Sequence, residues 1–255
     1  MARQTGEFAG KTVIVTGAAS GLGRVTAQGF AQAGARVAMS DVNADGLQEA
    51  VDAVRADGGI ATAIPADLTR AEAGTEIVGK TISEFGRLDV LVNVAGMFHL
   101  NPVGLTTAAA WDRVFAVNVR APFLLCQAAL PHLVQQQGAI VNIASTAAFF
   151  GHAYLTAYAA SKAALVNLTK SLALEYAHAP VRINALAPGG MNTPLVAGMT
   201  SLPEGVDRSL MARYAGFRPP NEPEEMVELI LFLASARATA VHGACFNADR
   251  GITAG

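Results

Sequence analysis

The sequence predicts an α/β fold: a single domain built on a doubly wound parallel β-sheet of about seven strands flanked by helices. Short apolar runs alternate with helix-periodic stretches from Lys11 almost to the C-terminus, the pattern of a parallel sheet assembled from right-handed βαβ units. A glycine cluster, GAASGLG over residues 17–23, stands directly between the first apolar run and the first helical stretch. Of the 255 residues 52% are apolar and only 15% charged, which suits elements buried on several sides.

Lys11–Thr16 reads as the first strand, a β-branched run ending at the glycines. The apolar period from Leu22 to Ala33 predicts a helix that stops at Gly34. Arg36–Ser40 is the second strand and ends on Asp41; residues 44–57 follow as a helix, Ile60–Ile64 as a strand and 70–86 as a helix. Leu88–Asn93 is the fourth strand, and residues 111–136 form a helix in two pieces, given Asn118 and Pro122. Ala139–Ala144, apolar except for Asn142, predicts a buried interior strand; a turn and a long helix over 156–177 come next. Val181–Leu186 is the sixth strand. Residues 189–220 lose all periodicity, and an irregular insert of that length in a compact domain reads as a mobile substrate-binding segment. A helix over 222–235 and a strand near Ala244–Ala248 close the pattern, with no linker or repeat to mark a second domain.

Composition excludes several classes of function. A formal charge of −2 leaves no basic footprint for nucleic acid or an anionic membrane surface. The two cysteines, Cys126 and Cys245, have no metal or redox spacing, and neither do His99, His132, His152, His178 and His242, so no metal site is expected. The N-terminus lacks the apolar core of a signal peptide, and no stretch long enough to cross a bilayer is free of charged or strongly polar residues; a cytoplasmic protein is expected.

Chemistry concentrates around residues 138–176. Ser145 sits at the carboxyl edge of a strand, where open α/β sheets place their ligand crevice. Tyr158 and Lys162 are four apart and share one helix face. A phenol of pKa about 10 is a poor base near neutrality, and an ammonium one turn away is expected to lower it. A hydroxyl, a phenol and an ammonium on one point suit proton transfer at a carbinol oxygen. Tyr154 is the competing phenol, but it is out of step with Lys162. In the glycine loop the tight turn lets backbone approach a pyrophosphate at a helix N-terminus. Asp41, about 20 residues further on, is where an acid can bind an adenosine ribose.

Together these features resemble the short-chain dehydrogenase/reductase family over essentially all of residues 8–255. TGAASGLG is similar to the family's TGxxxGxG loop, and Asp67-Leu68 in ADLT to the segment that meets the adenine. Asn93-Val94-Ala95-Gly96 resembles NNAG with a departure at Val94, and Asn118 resembles the asparagine of the catalytic tetrad. Ser145 lies thirteen residues before Tyr158, as the family's serine does. Pro188-Gly189-Gly190-Met191-Asn192-Thr193 resembles the segment that holds the nicotinamide carboxamide; the tail NADRGITAG carries Arg250 where a glycine is usual.

The resemblance implies a Rossmann-type dinucleotide-binding domain. Tyr158 would be the general acid/base, Lys162 would lower its pKa and bond the nicotinamide ribose, Ser145 would orient the substrate oxygen, and Asn118 would hold a water. It implies cofactor contacts from Gly17, Ser20, Gly21, Leu22 and Gly23 of the loop, from Asp41, Asp67 and Leu68, and from Asn93, Ala95 and Gly96. Tyr158, Lys162, Pro188, Gly189, Met191 and Thr193 complete that set. Asp41, with no cation at Ser20, Val42 or Asn43, favours NAD over its 2′-phosphorylated form.

The expected activity is NAD-dependent interconversion of a largely apolar secondary alcohol, cyclic ones included, and its ketone. Phe149, His152, Tyr154, Leu195 and Met199 are candidates for the substrate pocket, with Phe150, Met191, Leu210, Met211 and Tyr214 adding apolar surface and no cationic clamp among them. Alternatives are a catalytically silent dinucleotide-binding redox sensor, a 3-oxoacyl-type reductase, or an epimerase or dehydratase on the same scaffold. The long helix is apolar on more than one stripe, which points to a homo-oligomer, and the resemblance implies a tetramer paired through that helix and 111–136.

Overall fold

The computed structural model describes residues 6–193, 202–211 and 218–254. Seven strands form one all-parallel sheet in the order β3-β2-β1-β4-β5-β6-β7. They are β1 Thr12–Thr16, β2 Arg36–Asp41, β3 Ile60–Pro65, β4 Val90–Asn93, β5 Ala139–Ile143, β6 Arg182–Pro188 and β7 Cys245–Ala248. The helices are α1 Gly21–Gln32, α2 Ala44–Ala56, α3 Ala73–Phe85, α4 Ala108–Phe115, α5 Ala121–Gln135, α6 Thr156–Glu175 and α7 Pro223–Ala234. The expected strands and helices are present, and most differences are one- or two-residue shifts at the ends. The helix expected from residue 70 begins at Ala73, because Asp67 accepts hydrogen bonds from both the Thr69 amide and the Thr69 hydroxyl and holds a turn there.

Alternation along the strands divides the core into two layers. Val13 and Val15 of β1 face one side with Val37 and Met39, packed under Phe30, Leu47, Val51 and Ile230 from α1, α2 and α7. Ile14 faces the other with Leu91, Ile140 and Ile183, under Ile77, Leu125 and Leu133 from α3 and α5. The interior strands β1, β4, β5 and β6 are therefore apolar on both faces, as a sheet covered by helices on each side requires, and β2 is interior as well.

The break expected between the two pieces of 111–136 is a π-helical turn, Ala116–Arg120, with Asn118 buried at its centre. The helical run Ala108–Gln135 is long and apolar enough to cross a membrane. It carries Asp112, Arg113 and Arg120, and α5 packs on α3 and β4, so about half of its apolar stretch is covered by the core, while Trp111 and Phe123 stay exposed. Strand order reverses between β1 and β4, and the carboxyl ends there open the crevice in which such sheets bind ligands.

Candidate active site

A cleft of about 300 Å³ lies over the carboxyl ends of β1, β4 and β5. One end is the glycine loop: Gly17, Ser20, Gly21, Leu22 and Gly23 line it, with Asp41 beside them. Gly17 adopts φ +68°, and a Cβ there would press on the Ala95 backbone. A Cβ on Gly23 would overlap the Gly17 carbonyl. Both glycines are thus required for the loop to fold back on the start of α1, the geometry that presents backbone amides to a pyrophosphate.

Asp41 shapes the same loop. Its Oδ2 accepts from the Ala19 amide at 3.1 Å and its Oδ1 from the Asn43 amide at 2.9 Å. Thr16, at the end of β1, fastens the opposite wall: its hydroxyl accepts from the amides of Val94 and Ala95, both at 3.1 Å. Thr16 was not among the expected site residues, although a threonine closing a buried strand just before the glycines is a readable signal.

The other end of the cleft holds Tyr158 and Lys162, with Ala95, Gly96, Met191 and Thr193 around them. Tyr158 lies in the first turn of α6, and the Lys162 ammonium, one turn later, is 5.8 Å from the centre of its ring. Lys162 is buried and donates to the Ile143 carbonyl at 2.7 Å, and burial pushes its pKa down to about 8. The Tyr158 phenol moves the other way: burial raises its pKa, against a lowering by its hydrogen bond with Ser145. The expected depression by Lys162 is therefore not found here, because enclosure outweighs the neighbouring groups. Ser145 begins a short 3-10 turn, where its hydroxyl also accepts from the Ala147 amide.

Asn118 is close to this end but is braced by protein. Its Oδ1 accepts from the Met97 amide, and its two amide protons go to the Met97 carbonyl and the Ser161 hydroxyl. Ser161 in turn donates to the Tyr158 carbonyl at 2.7 Å. With both donors taken, the Asn118 side chain could hold the expected water only through its oxygen. Ser161 and Met97 were missed; Ser161, adjacent to Lys162, is the one a sequence reader could have questioned.

Five residues expected at the cofactor do not line this cleft. Asn93 is buried and donates to Asn142 Oδ1 at 2.8 Å, which in turn reaches Thr169 of α6, so its side chain braces β4 to β5. Pro188 is buried at the end of β6, paired with Ala248 of β7. A Cβ on Gly189 would press on Asp249, so this glycine admits the C-terminal loop. Asp67 and Leu68 lie beyond the cleft, and the Thr69 hydrogen bonds hold the Asp67 carboxyl below the usual range. Conversely, Val94, Ile143 and Ala144 do line the cleft.

Of the expected substrate-pocket residues, Leu195 and Met199 lie outside the described residues, as does Tyr214. Phe149 is exposed, and His152 stacks on Phe150 at 4.7 Å, where burial pushes its imidazole down to about 4. Tyr154 adopts φ +67° and its phenol accepts from the Asp207 amide, away from Lys162. Phe98, unnamed in the sequence reading, meets Tyr158 edge-on at 5.9 Å. Among the described residues no cluster of His, Cys, Asp or Glu could hold a metal.

The arrangement can bind an extended dinucleotide along the cleft and move a proton at its Tyr158 end. A family model described as enoyl-(acyl carrier protein) reductase matches residues 17–253. A cis-4-hydroxycyclohexanecarboxylate dehydrogenase of Sinomonas cyclohexanicum is 40% identical over 97% of this chain and 98% of its own. A Beutenbergia cavernae protein, solved with bound NADP at low occupancy, superposes with a TM-score of 0.87 at 37% identity over 97% of this chain and 98% of its own. A 3-ketoacyl-(acyl-carrier-protein) reductase of Brucella melitensis, complexed with NADH, gives 0.87 at 30% identity over 96% of this chain and 99% of its own. Judged by these matches across nearly its whole length, the chain belongs to the short-chain dehydrogenase/reductase family.

Proposed function

We propose that the protein is a NAD-dependent oxidoreductase that interconverts a largely apolar secondary alcohol, cyclic ones included, and its ketone. The observation that carries this reading is the meeting of Tyr158 and Lys162 with the glycine loop and Asp41 in one cleft. The cleft fits a dinucleotide, since Gly17 and Gly23, where a Cβ would meet the Ala95 backbone or the Gly17 carbonyl, let the loop turn tightly at the start of α1. A bound nicotinamide would supply the hydride acceptor and donor. Tyr158 would take the proton from the carbinol oxygen in oxidation and return it in reduction. Ser145, hydrogen-bonded to that phenol, would hold the same oxygen in line. Lys162, charged below about pH 8, would favour the phenolate as it forms and bond the ribose.

The substrate class is supported by the apolar surroundings of the Tyr158 end, including Phe98 and Met191, and by the cis-4-hydroxycyclohexanecarboxylate dehydrogenase relative. The preference for NAD rests on Asp41. A 2′-phosphate beside its carboxylate would meet repulsion of about 4 kcal/mol per charge pair at 4 Å and an effective dielectric near 20, before screening. A residual of about 2.7 kcal/mol still corresponds to about a hundredfold.

The test is turnover of a panel of secondary alcohols with NAD and with NADP, followed by reduced-nicotinamide absorbance. We expect oxidation of apolar cyclic alcohols, with kcat/KM about a hundredfold higher for NAD. Equal or better use of NADP would overturn the assignment of Asp41. Dinucleotide binding without turnover in either direction would identify a redox sensor. Strong preference for 3-oxoacyl thioesters would identify an acyl-chain reductase.

A further inference from the structure

We propose that Arg250 is a positioning residue for the Met191–Thr193 wall of the cleft, acting through a closed ring of hydrogen bonds. The inference rests on the oxidoreductase reading for its meaning, and its test also has an arm that does not. Arg250 adopts φ +55°, a left-handed conformation that is strained for any residue with a side chain and free for glycine. Glycine is also the residue usual at this point of the tail the sequence resembles. An arginine held there needs a compensating role for its side chain.

The guanidinium has one. Its Nη2 donates to both Glu225 oxygens at 2.7 Å, its Nε to Asn221 Oδ1 at 2.7 Å, and its Nη1 to the Pro219 carbonyl at 3.2 Å. From the fork two routes run to the cleft wall. In the first, Asn221 is buried, its amide donates to the Gly190 carbonyl at 2.8 Å, and its carbonyl accepts from the Asn192 amide at 3.1 Å. In the second, Glu225 accepts from the Glu222 amide at 2.7 Å, and Glu222 accepts from the Asn192 side chain at 2.6 Å. Both routes end on Asn192, and its two neighbours, Met191 and Thr193, line the cleft beside Tyr158 and Lys162.

Fixing Asn192 by backbone and side chain together sets where that wall stands relative to the reacting groups. The ion pair itself is partly exposed, with the Arg250 and Glu225 side chains 30% and 47% accessible, so it contributes little to global stability. Its effect belongs to wall position, and a displacement of about an ångström at a site of this kind is felt in binding and turnover.

The experiment compares Arg250→Gly, Arg250→Lys and Glu225→Gln with wild type, and uses Arg237→Ala, which breaks the remote pair with Glu7, as the control for loss of an ion pair alone. Glycine suits the backbone of residue 250, so Arg250→Gly removes the fork without straining the chain. The readouts are thermal midpoint, KM and kcat for the alcohol, and Kd for NADH by nicotinamide fluorescence. We expect Arg250→Gly to keep its thermal midpoint within a few degrees. KM and Kd should rise about tenfold while kcat changes less than about threefold. Arg250→Lys and Glu225→Gln should fall between it and wild type, and Arg237→Ala should leave KM and Kd unchanged. KM and Kd of Arg250→Gly within about twofold of wild type would overturn the proposal. If no alcohol is oxidised even by wild type, the functional reading fails, and NADH affinity alone still decides the role of Arg250.

Discussion

Tyr158 and Lys162 share a helix face because they are four residues apart, and that much is local geometry any sequence reader can use. Their proton affinities are set by enclosure, which no spacing encodes: burial lifts the phenol and brings the ammonium down to about 8. The consequence for activity has a definite sign. Alcohol oxidation needs the phenol as a base, so its kcat/KM should climb with pH, while ketone reduction, which needs the acid, should fall. Tyr158→Phe should cut turnover by about 10²–10⁴-fold and leave NADH binding intact; near-wild-type activity would instead direct attention to Tyr154. Lys162 gives a second prediction, in stability. Its pKa falls from 10.5 to about 8 on folding, a cost on the order of 3 kcal/mol that is fully present below pH 8 and relieved as pH rises toward 10.5. Lys162→Met removes that cost but leaves the Ile143 carbonyl without its donor, a loss of about 1–3 kcal/mol. The variant should therefore be inactive, and in urea titrations its stability relative to wild type should fall as pH rises from 8 toward 10.5, where wild type sheds the cost. A stability difference that does not change over that range would refute the claim that this ammonium is held at a cost. Asn93 shows the opposite limit of legibility. Its motif was readable, but which way a strand-end side chain turns depends on Asn142 and Cys126, 49 and 33 residues away in sequence.

At the scale of elements, the strand-loop-helix unit β1-α1 decides whether a dinucleotide can be held. Two of its glycines do different work from a flexible turn: Gly17 admits Ala95, and Gly23 admits the Gly17 carbonyl. Gly23→Ala should push α1 from the loop, destabilise the fold by about 1–3 kcal/mol and weaken NADH binding more than tenfold by fluorescence titration. Gly79→Ala is the matched control, an exposed position in α3 where an added Cβ meets nothing within 4 Å. It should stabilise by about 0.5–1 kcal/mol with unchanged affinity. A Gly23→Ala protein that binds NADH normally would mean that the cradle tolerates a methyl group. The order of elements was legible because apolar runs of five or six residues and helical periods of twelve or more are physically distinct. The π-helical turn around Asn118 was legible only as a break, since a π-turn is chosen by packing against α6 and not by Ala-Val-Asn-Val-Arg itself. The roles of Gly189 and Arg250 stayed hidden for a similar reason. Each is defined by a segment that returns from elsewhere in the chain, Asp249 in one case and Pro219–Asn221 in the other.

At the scale of the whole molecule, two areas of uncovered apolar surface among the described residues bear on assembly. On one face of the sheet, Trp111 of α4 is exposed and stacked on Phe115, Phe123 of α5 is exposed, and Leu174 of α6 is 79% accessible. At the sheet edge, β7 pairs only with β6, and it presents Phe246, with Leu229 of α7 also exposed. A monomer would leave both the helical patch and an unpaired strand edge in water, the latter a template for pairing with another chain. Two self-complementary patches on one chain generate two different two-fold contacts, and two two-fold axes close into a tetramer of dihedral symmetry. We therefore expect light scattering at micromolar concentration to return about four times the chain mass of 26.2 kDa. The two contacts should also be separable. A charge on the helical patch, Phe123→Asp, should stop assembly at one kind of dimer, and a charge on the edge strand, Phe246→Asp, at the other. Neither site touches the cleft, so each dimer should retain NADH binding while losing thermal stability, because the partner's burial of apolar area goes with the contact. The double variant should be monomeric. A monomeric wild-type mass would overturn the assembly outright, and a tetramer indifferent to both substitutions would move the contacts elsewhere on the surface.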